Sequence, residues 1–170
     1  MIHQILIYPD KRLRKKSAPV TKFDATLATL LDDMHDTMVS YRGVGLAAIQ
    51  IGVAQQIIVI NIPTDEGVQP IENRFELINS RIVSSEGGVL YSEGCLSIPE
   101  YNEEIMRFEQ VSIEYCDRHG NQKELNAKGL LAIAIQHETD HIEGRLFVER
   151  LPLLKRKKFE KEWKKSLKNG

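Results

Sequence analysis

The residues best suited to chemistry lie in the motif His137-Glu138-Thr139-Asp140-His141, directly after the apolar run 130–135. If that run is a helix, side chains four residues apart lie on one face, so His137 and His141 can both turn a ring nitrogen toward one metal ion. Glu138 lies beside them, where a carboxylate can act as a general base toward water without being a ligand. The motif therefore predicts a hydrolytic metal site on a helix.

The third metal ligand is not decided by this motif. Catalytic centres of the zinc type usually take three protein ligands and leave one position for water. One metalloprotease group has a histidine six residues after the second motif histidine, but Phe147 stands there in this chain. Another class uses a downstream glutamate. The remaining candidates are Glu160, Glu162, Cys95 and Cys116.

Two further segments carry groups that could act at such a site. The glycine-rich segment 43–52 lacks the Gly-Lys-Ser/Thr sequence of a P-loop. Glycine lets main-chain groups approach a ligand closely, and Gln50 offers an amide that can donate a hydrogen bond to developing negative charge. The segment 93–99 presents Cys95 between a glycine and a turn that ends in proline, which suits a ligand or a nucleophile.

Hydrophobic periodicity predicts the elements that position these groups. Apolar residues at helical spacing between 27 and 38 predict a helix that begins after the N-cap Asp24 and stops by Gly43. His35 lies off this apolar stripe, and we expect it to be a solvated helix residue. Strands are predicted at 5–7, 56–62, 75–83, 89–91 and in a hairpin from 111 to 125.

These elements predict an α+β fold in which antiparallel β-sheets wrap around a central metal-binding helix, with a C-terminal helix at about 152–168. In that last helix Phe159, Trp163 and Leu167 repeat every four residues, so this stripe is expected to dock on the domain core. No internal repeat or linker is visible. We therefore expect a single catalytic domain over residues 1–170.

Composition limits the class of protein. The 170 residues are 42% hydrophobic and 28% charged, as in soluble globular proteins, and no stretch approaches a membrane span. The chain starts without a basic leader, and its two cysteines indicate reduced thiols or a metal ligand, so we expect a cytoplasmic protein. Residues 155–170 contain eight basic and two acidic residues, a charge of +6. The remaining 15 basic and 22 acidic residues give −7.

Taken together, the segments 43–50, 93–97 and 137–141 resemble the three signature motifs of the peptide deformylase family. Their order and spacing match, as do the opening Tyr-Pro-Asp-Lys-Arg-Leu-Arg and the basic C-terminal helix, so the resemblance spans nearly the whole chain. Members of this family hydrolyse the N-formyl group from the initiator methionine of nascent bacterial and organellar proteins and release formate.

The resemblance implies a role for each motif. Cys95, His137 and His141 would bind one divalent metal ion per chain, with Fe²⁺ as the native metal and Zn²⁺ or Ni²⁺ tolerated. Glu138 would be the general base. The Gln50 side-chain amide and the backbone N–H of Leu96 would hold the oxyanion. These roles are chemically coherent, because a thiolate and two imidazoles suit either iron or zinc.

The resemblance also implies the surroundings of the site. Glu93 and Arg107 would form an ion pair that steadies the cysteine loop. Its substrates would be N-formylmethionyl peptides, the basic C-terminal helix would dock on the ribosome, and we expect a monomer that binds neither DNA nor membrane. The pocket for the methionine side chain and adjoining peptide would comprise Val44, Gly45, Leu130, Ile133 and Ala134.

One position departs from the family pattern. Many bacterial members have an arginine near the substrate where this chain has Asn102. The catalytic set is intact, so the departure concerns how the peptide beyond methionine is held.

Two other functions compete with this interpretation. A zinc protease would use Glu160 or Glu162 as its third ligand, but it leaves Cys95 and Gln50 without a role. An RNA- or ribosome-binding module would use its metal only structurally, but such sites are closed by four protein ligands and only three converge here.

Overall fold

The central feature of the computed structural model, which describes residues 1–169, is the helix that carries both motif histidines. This helix, α2, spans Gly129–Ile142, and its burial follows from the apolar run at its start. It contacts β1, β2, β6 and β7 and the 3-10 helix at Ala48–Ile51, so the five-stranded sheet covers it. The remaining helices are α1 at Ala25–Ser40 and α3 at Leu153–Asn169, with short 3-10 helices at Lys11–Arg14, Ala48–Ile51, Ile71–Asn73 and Phe147–Arg150.

Seven strands in the described residues form two antiparallel sheets. Five strands pair in the order β1-β2-β3-β6-β7, so β1 is an edge strand, and β4 pairs with β5 as a separate hairpin. All four residues of β2 are buried, as expected for a continuous β-branched run. The strand bounds are β1 Gly45–Ala47, β2 Ile57–Ile60, β3 Phe75–Glu86, β4 Val89–Cys95, β5 Ile98–Arg107, β6 Gln110–Cys116 and β7 Gln122–Lys128.

This architecture confirms the predicted α+β fold, with antiparallel sheets around a metal-motif helix and a helix at the C-terminal end. The helix start predicted at Asp24 is also confirmed, because its carboxylate accepts a hydrogen bond from the backbone N–H of Leu27 at 3.0 Å. No helix within residues 1–169 is long and apolar enough to cross a membrane.

The docking of α3 follows the predicted stripe over its first half. Phe159 is 1% exposed and Trp163 is half-buried. The ring of Phe159 packs against that of Tyr101, with 4.5 Å between their centroids, and the indole N–H of Trp163 donates to the carbonyl of Tyr8. Leu167 is 57% exposed, so the prediction that it docks is wrong. The body of the domain ends under Trp163, and the last turn of the helix extends beyond it.

Two other local predictions are wrong. The segment 5–7 is not a strand. The N–H of Leu6 bonds to the carbonyl of Gln50 and that of Tyr8 to the carbonyl of Ser97, and these two partners lie in separate segments that offer no continuous ladder. His35 is buried at 6% exposure, because the segment after β2 covers it and the side-chain amide of Asn61 lies 3.0 Å from its Nε2.

Candidate active site

Three side chains that can ligate a metal converge where β4 meets α2. His137 and His141 lie one helical turn apart on α2, and Cys95 is the last residue of β4. Their ligand atoms all lie within 4.8 Å of one another, and Cys95 Sγ is 3.4 Å from His141 Nε2. Among residues 1–169 no other group of three acidic, cysteine or histidine side chains is close enough to share an ion. Glu160 and Glu162 are exposed on α3, outside this group.

The protonation chemistry of this cluster fits a metal ion. Burial alone would raise the pKa of the Cys95 thiol, but the nearby imidazoles of His141 and His137 lower that pKa to about 5. The cysteine is therefore poised as a thiolate, the form that binds metals. His141 Nδ1 and Glu138 Oε1 are buried and have no hydrogen-bond partner within the protein. The unpartnered Glu138 oxygen is expected where a water completes the site. Nδ1 of His141 lies on the ring edge away from Nε2, the nitrogen that faces Cys95.

Glu138 lies between the two histidines in the sequence and faces the same space. Its side chain is 3% exposed, and burial raises the pKa of its carboxyl group. Gly45 passes so close that a Cβ placed on it would lie 2.8 Å from Oε2 of Glu138. The glycine thus leaves room for the carboxylate, and a buried carboxylate with a raised pKa suits proton transfer near neutral pH.

Gln50 is held from both ends of its amide. The backbone N–H of Ala47 donates to its Oε1 at 3.0 Å, and its Nε2 donates to the buried Ser97 hydroxyl at 3.1 Å. The same Nε2 lies 3.7 Å from Cys95 Sγ. These partners orient the amide so that its N–H groups face the cysteine and its oxygen faces away. Sequence reasoning did not single out Ser97, although it follows Cys95 by two residues.

A chain of ion pairs extends from the site, buried at Glu93, Arg107 and Asp140 and reaching the half-exposed Arg150. Nδ1 of His137 lies 2.8 Å from Oε1 of Glu93, and Arg107 holds both oxygens of that carboxylate at 2.6 and 2.9 Å. Arg107 also donates to Asp140 at 2.9 Å, and Arg150 grips the same Asp140 with two bonds of 2.6 and 2.7 Å. The chain fixes the imidazole ring of His137. Asp140 and Arg150 were not predicted, since their meeting depends on how residues 147–150 fold back on α2.

A cleft of about 650 Å³ opens beside this cluster. Leu96 lines it and packs so tightly on Gly43 that a Cβ on that glycine would lie 2.6 Å from a Leu96 methyl group. The cleft joins apolar walls to a few polar groups, as ligand sites usually do. All five residues expected to contact substrate line it: Val44, Gly45, Leu130, Ile133 and Ala134.

Asn102, the position that departs from the family pattern, also lines the cleft. It lies on β5 directly opposite Gly94 of β4. Its carboxamide oxygen occupies the space that a side chain at Gly94 would need. The residue therefore packs over the glycine at the mouth of the cleft.

The chain is similar over nearly its whole length to proteins of one family. Residues 2–157 match the family model described as Polypeptide deformylase. A peptide deformylase from Helicobacter hepaticus is 55% identical over 162 residues, covering 95% of this chain and 90% of the relative. One from Wolinella succinogenes is 50% identical over 161 residues, covering 95% of both. The crystal structure of a peptide deformylase from Legionella pneumophila is 43% identical with a TM-score of 0.89, covering 99% of this chain and 96% of its own.

Proposed function

Because this chain belongs to the peptide deformylase family, we propose that the cleft beside α2 is where it carries out the family reaction. The protein is a metal-dependent hydrolase that removes the N-formyl group from the initiator formyl-methionine of nascent polypeptides and releases formate. The observation that carries the placement is the convergence of a thiol and two imidazoles beside a buried glutamate at one end of an apolar cleft.

Cys95, His137 and His141 would hold the metal. A thiolate with two imidazoles suits iron, zinc and nickel, and we propose Fe²⁺ as the native ion with Zn²⁺ or Ni²⁺ able to replace it. When bound, a divalent ion supplies positive charge that makes water more acidic and polarises the formyl oxygen. Glu93 and Arg107 would keep the imidazole of His137 turned toward the ion through its other nitrogen.

Glu138 would move the proton. Its carboxylate takes a proton from the attacking water and delivers it to the amine that leaves as the formyl group is released. Burial serves this role because it raises the pKa of the carboxyl group toward the working pH. The close passage of Gly45 keeps the carboxylate beside the reacting atoms.

Gln50 and Leu96 would stabilise the tetrahedral intermediate. The Nε2 of Gln50 already faces Cys95, so one N–H can turn to an oxyanion while Ala47 continues to hold the amide oxygen. The backbone N–H of Leu96 would supply a second donor. Loss of one such donor typically costs about 3 to 4 kcal/mol of barrier, so Gln50→Ala should lower kcat about 10²- to 10³-fold while the protein keeps its metal.

The apolar part of the cleft would receive the methionine side chain. Ile133 and Ala134 offer one wall from α2, and Leu130 extends this wall toward the start of the helix. Val44 and Gly45 lie on the facing segment and would present main-chain groups to the peptide. An unbranched thioether fits such an irregular apolar pocket well.

Glu138 provides the sharpest test of this function. We expect iron-loaded protein, purified anaerobically, to release formate from formyl-Met-Ala. The turnover rate of Glu138→Ala with the same metal content should be about 10²- to 10⁴-fold lower. Glu143→Ala, which removes an exposed carboxylate near the end of the same helix, is the matched control and should keep parental activity. If the iron-loaded parent releases no formate, the proposed function is contradicted. If Glu138→Ala turns over as fast as the parent, the role of Glu138 as general base is contradicted.

We also propose that the protein is a single-domain cytoplasmic monomer whose helix α3 docks on the ribosome. The lysines of α3 support this, since exposed cations can meet an anionic partner. Truncating the helix would be a poor test because Phe159 is buried in the core. Replacing the exposed lysines at 157, 161, 164 and 168 by glutamine in the full chain should weaken ribosome binding and spare turnover of a short formyl peptide. Equal losses in both assays would contradict the docking role.

A further inference from the structure

Among the described residues, the cleft is lined by one arginine, Arg42, and by no lysine. Arg42 is exposed, and within residues 1–169 its side chain forms neither an ion pair nor a hydrogen bond. An unpaired guanidinium at the mouth of a binding cleft is free to pair with a ligand.

Arg42 stands at a backbone position that is usually occupied by glycine. The N–H of Arg42 bonds to the carbonyl of Val39, and that of Gly43 to the carbonyl of Met38, which together close the end of α1 as a Schellman motif. Arg42 occupies the left-handed position of this motif, with φ of 59°. Glycine is the usual residue there because side chains rarely adopt this conformation. This chain instead has an arginine at this position, beside the candidate active site.

The neighbouring residues fix how far Arg42 lies from the reaction. Gln69 donates to the carbonyl of Gly43 at 2.9 Å, which anchors the segment, and Gly45 lies against the Glu138 carboxylate. The three steps along the chain from residue 42 to residue 45 span at most about 10 Å, and an extended peptide advances about 3.3 Å per residue. A peptide that has formyl-methionine at Glu138 and runs along this segment toward residue 42 brings its second or third following residue within reach of the guanidinium.

We propose that Arg42 is a specificity-determining residue that binds a carboxylate on the second or third residue after formyl-methionine. This assignment rests on the proposed function of the cleft. The carboxylate can be an acidic side chain or the C-terminus of a short peptide, because a guanidinium binds both through the same planar pair of N–H donors. Glu100 also lines the cleft and is exposed, and its negative charge would weaken this preference by repelling the same group.

The test compares formyl-Met-Ala-Xaa-amides with Xaa as Asp, Asn or Lys, using the metal-loaded parent enzyme. A solvent-exposed ion pair changes binding by about two- to fivefold, so kcat/KM should favour Asp over Asn by that factor, mainly through KM. The Asn peptide with a free C-terminus tests the other carboxylate, that of the C-terminus. The ratio of its kcat/KM to that of the Asn amide measures the effect of the terminal carboxylate alone. Both preferences should shrink as salt is raised.

Variants of Arg42 separate substrate binding from a role in ending the helix. Arg42→Gln should bring the Asp/Asn ratio to about one, Arg42→Lys should restore part of it, and Glu100→Gln should increase it in the parent background. Arg145→Gln, which removes an exposed charge outside the cleft, is the matched control and should keep the parental ratio.

A third variant of Arg42, Arg42→Gly, removes the charge and suits the left-handed backbone. It should lose the Asp preference without losing thermal stability. If Arg42 variants alter stability but leave the Asp/Asn ratio at its parental value, the assignment is overturned. Failure of the parent to deformylate any of the peptides would overturn the proposed function, and this assignment with it.

Discussion

Replacing Arg107 by alanine tests the ion-pair chain that supports the site. The Arg107 side chain is 2% exposed and makes three hydrogen bonds, two to Glu93 and one to Asp140. Burial opposes the ionisation of Glu93, but its hydrogen bonds with Arg107 and His137 outweigh it and lower the pKa of that carboxyl group. Without the arginine, Glu93 keeps only its contact with His137, whereas Asp140 keeps both bonds from Arg150.

The expected magnitude follows from this difference. Removing one partner of a buried ion pair typically costs about 3 to 5 kcal/mol, and one of the two stranded carboxylates here retains an arginine. We therefore expect a loss of about 3 to 4 kcal/mol in the free energy of unfolding, at the lower end of that range. For a chain of this length such a loss lowers Tm by about 6 to 16 °C. Because Glu93 then orients His137 less firmly, metal affinity should fall by about 10- to 100-fold.

Two measurements check this expectation. Chelator competition reports metal affinity, and thermal unfolding of the metal-free protein reports stability separately from the metal. Arg81→Ala is the control, because Arg81 is 73% exposed and pairs with Glu114 at 2.7 Å, so its loss should cost at most about 1 kcal/mol. Arg107→Lys keeps the charge but not the paired contact with Glu93, so it should recover only part of both losses.

The reasoning would be refuted by an Arg107→Ala protein that binds metal as tightly as the parent and loses less than about 1 kcal/mol of stability. That result would mean that Glu93 is neutral or reaches solvent in the folded protein. A large loss of stability with unchanged metal affinity would instead show that the ion pair stabilises the fold but does not orient the metal ligand His137.

Three further predictions follow from buried groups. Burial lowers the pKa of His35, so the folded protein favours its neutral form. The stability that this form contributes is present above the unfolded pKa of about 6.5 and is lost as pH falls below it. His35→Gln should flatten the dependence of unfolding free energy on pH below about 6.5, as followed by urea titration, and unchanged curves would contradict this. Gly45→Ala should displace the Glu138 carboxylate and lower kcat by about 10²-fold while Tm and metal content stay near parental values, whereas parental kcat would show that the carboxylate has room to move. Phe159→Ala should cost about 3 to 5 kcal/mol in chemical unfolding, and the exposed Leu167→Ala less than about 0.5 kcal/mol, so similar losses would contradict the observed docking of α3.

Local spacing made much of the fold predictable. Two histidines four residues apart can share one metal ion only in a helix, because a strand would also place them on one face but about 13 Å apart. The structure has that helix at Gly129–Ile142. Likewise Asp24 before an apolar helical stripe predicted the start of α1, and the β-branched run at Ile57–Ile60 predicted a buried strand. In each case the deciding interactions lie within a few residues, so the sequence itself contains them.

Predictions failed where a residue's surroundings come from distant parts of the chain. His35 lies off the apolar stripe of its own helix, yet it is buried because the chain after β2 covers it. The segment 5–7 has a strand-like pattern, but the longer-range backbone partners at Leu6 and Tyr8 are Gln50 and Ser97, which belong to two separate segments and form no ladder. Periodicity reports which face of an element is apolar, and it does not report what another segment places against the polar face.

The site divides in the same way. The sequence by itself determined that His137, Glu138 and His141 share one end of a helix, because helical geometry relates residues four apart. The spacing left four candidates for the third ligand, and only the resemblance to a family favoured Cys95. Tertiary packing alone decided that the cysteine of β4 meets α2, and that Arg150 reaches Asp140 behind it. Such contacts join residues far apart in the chain, and their formation depends on the burial of the whole core rather than on any local pattern.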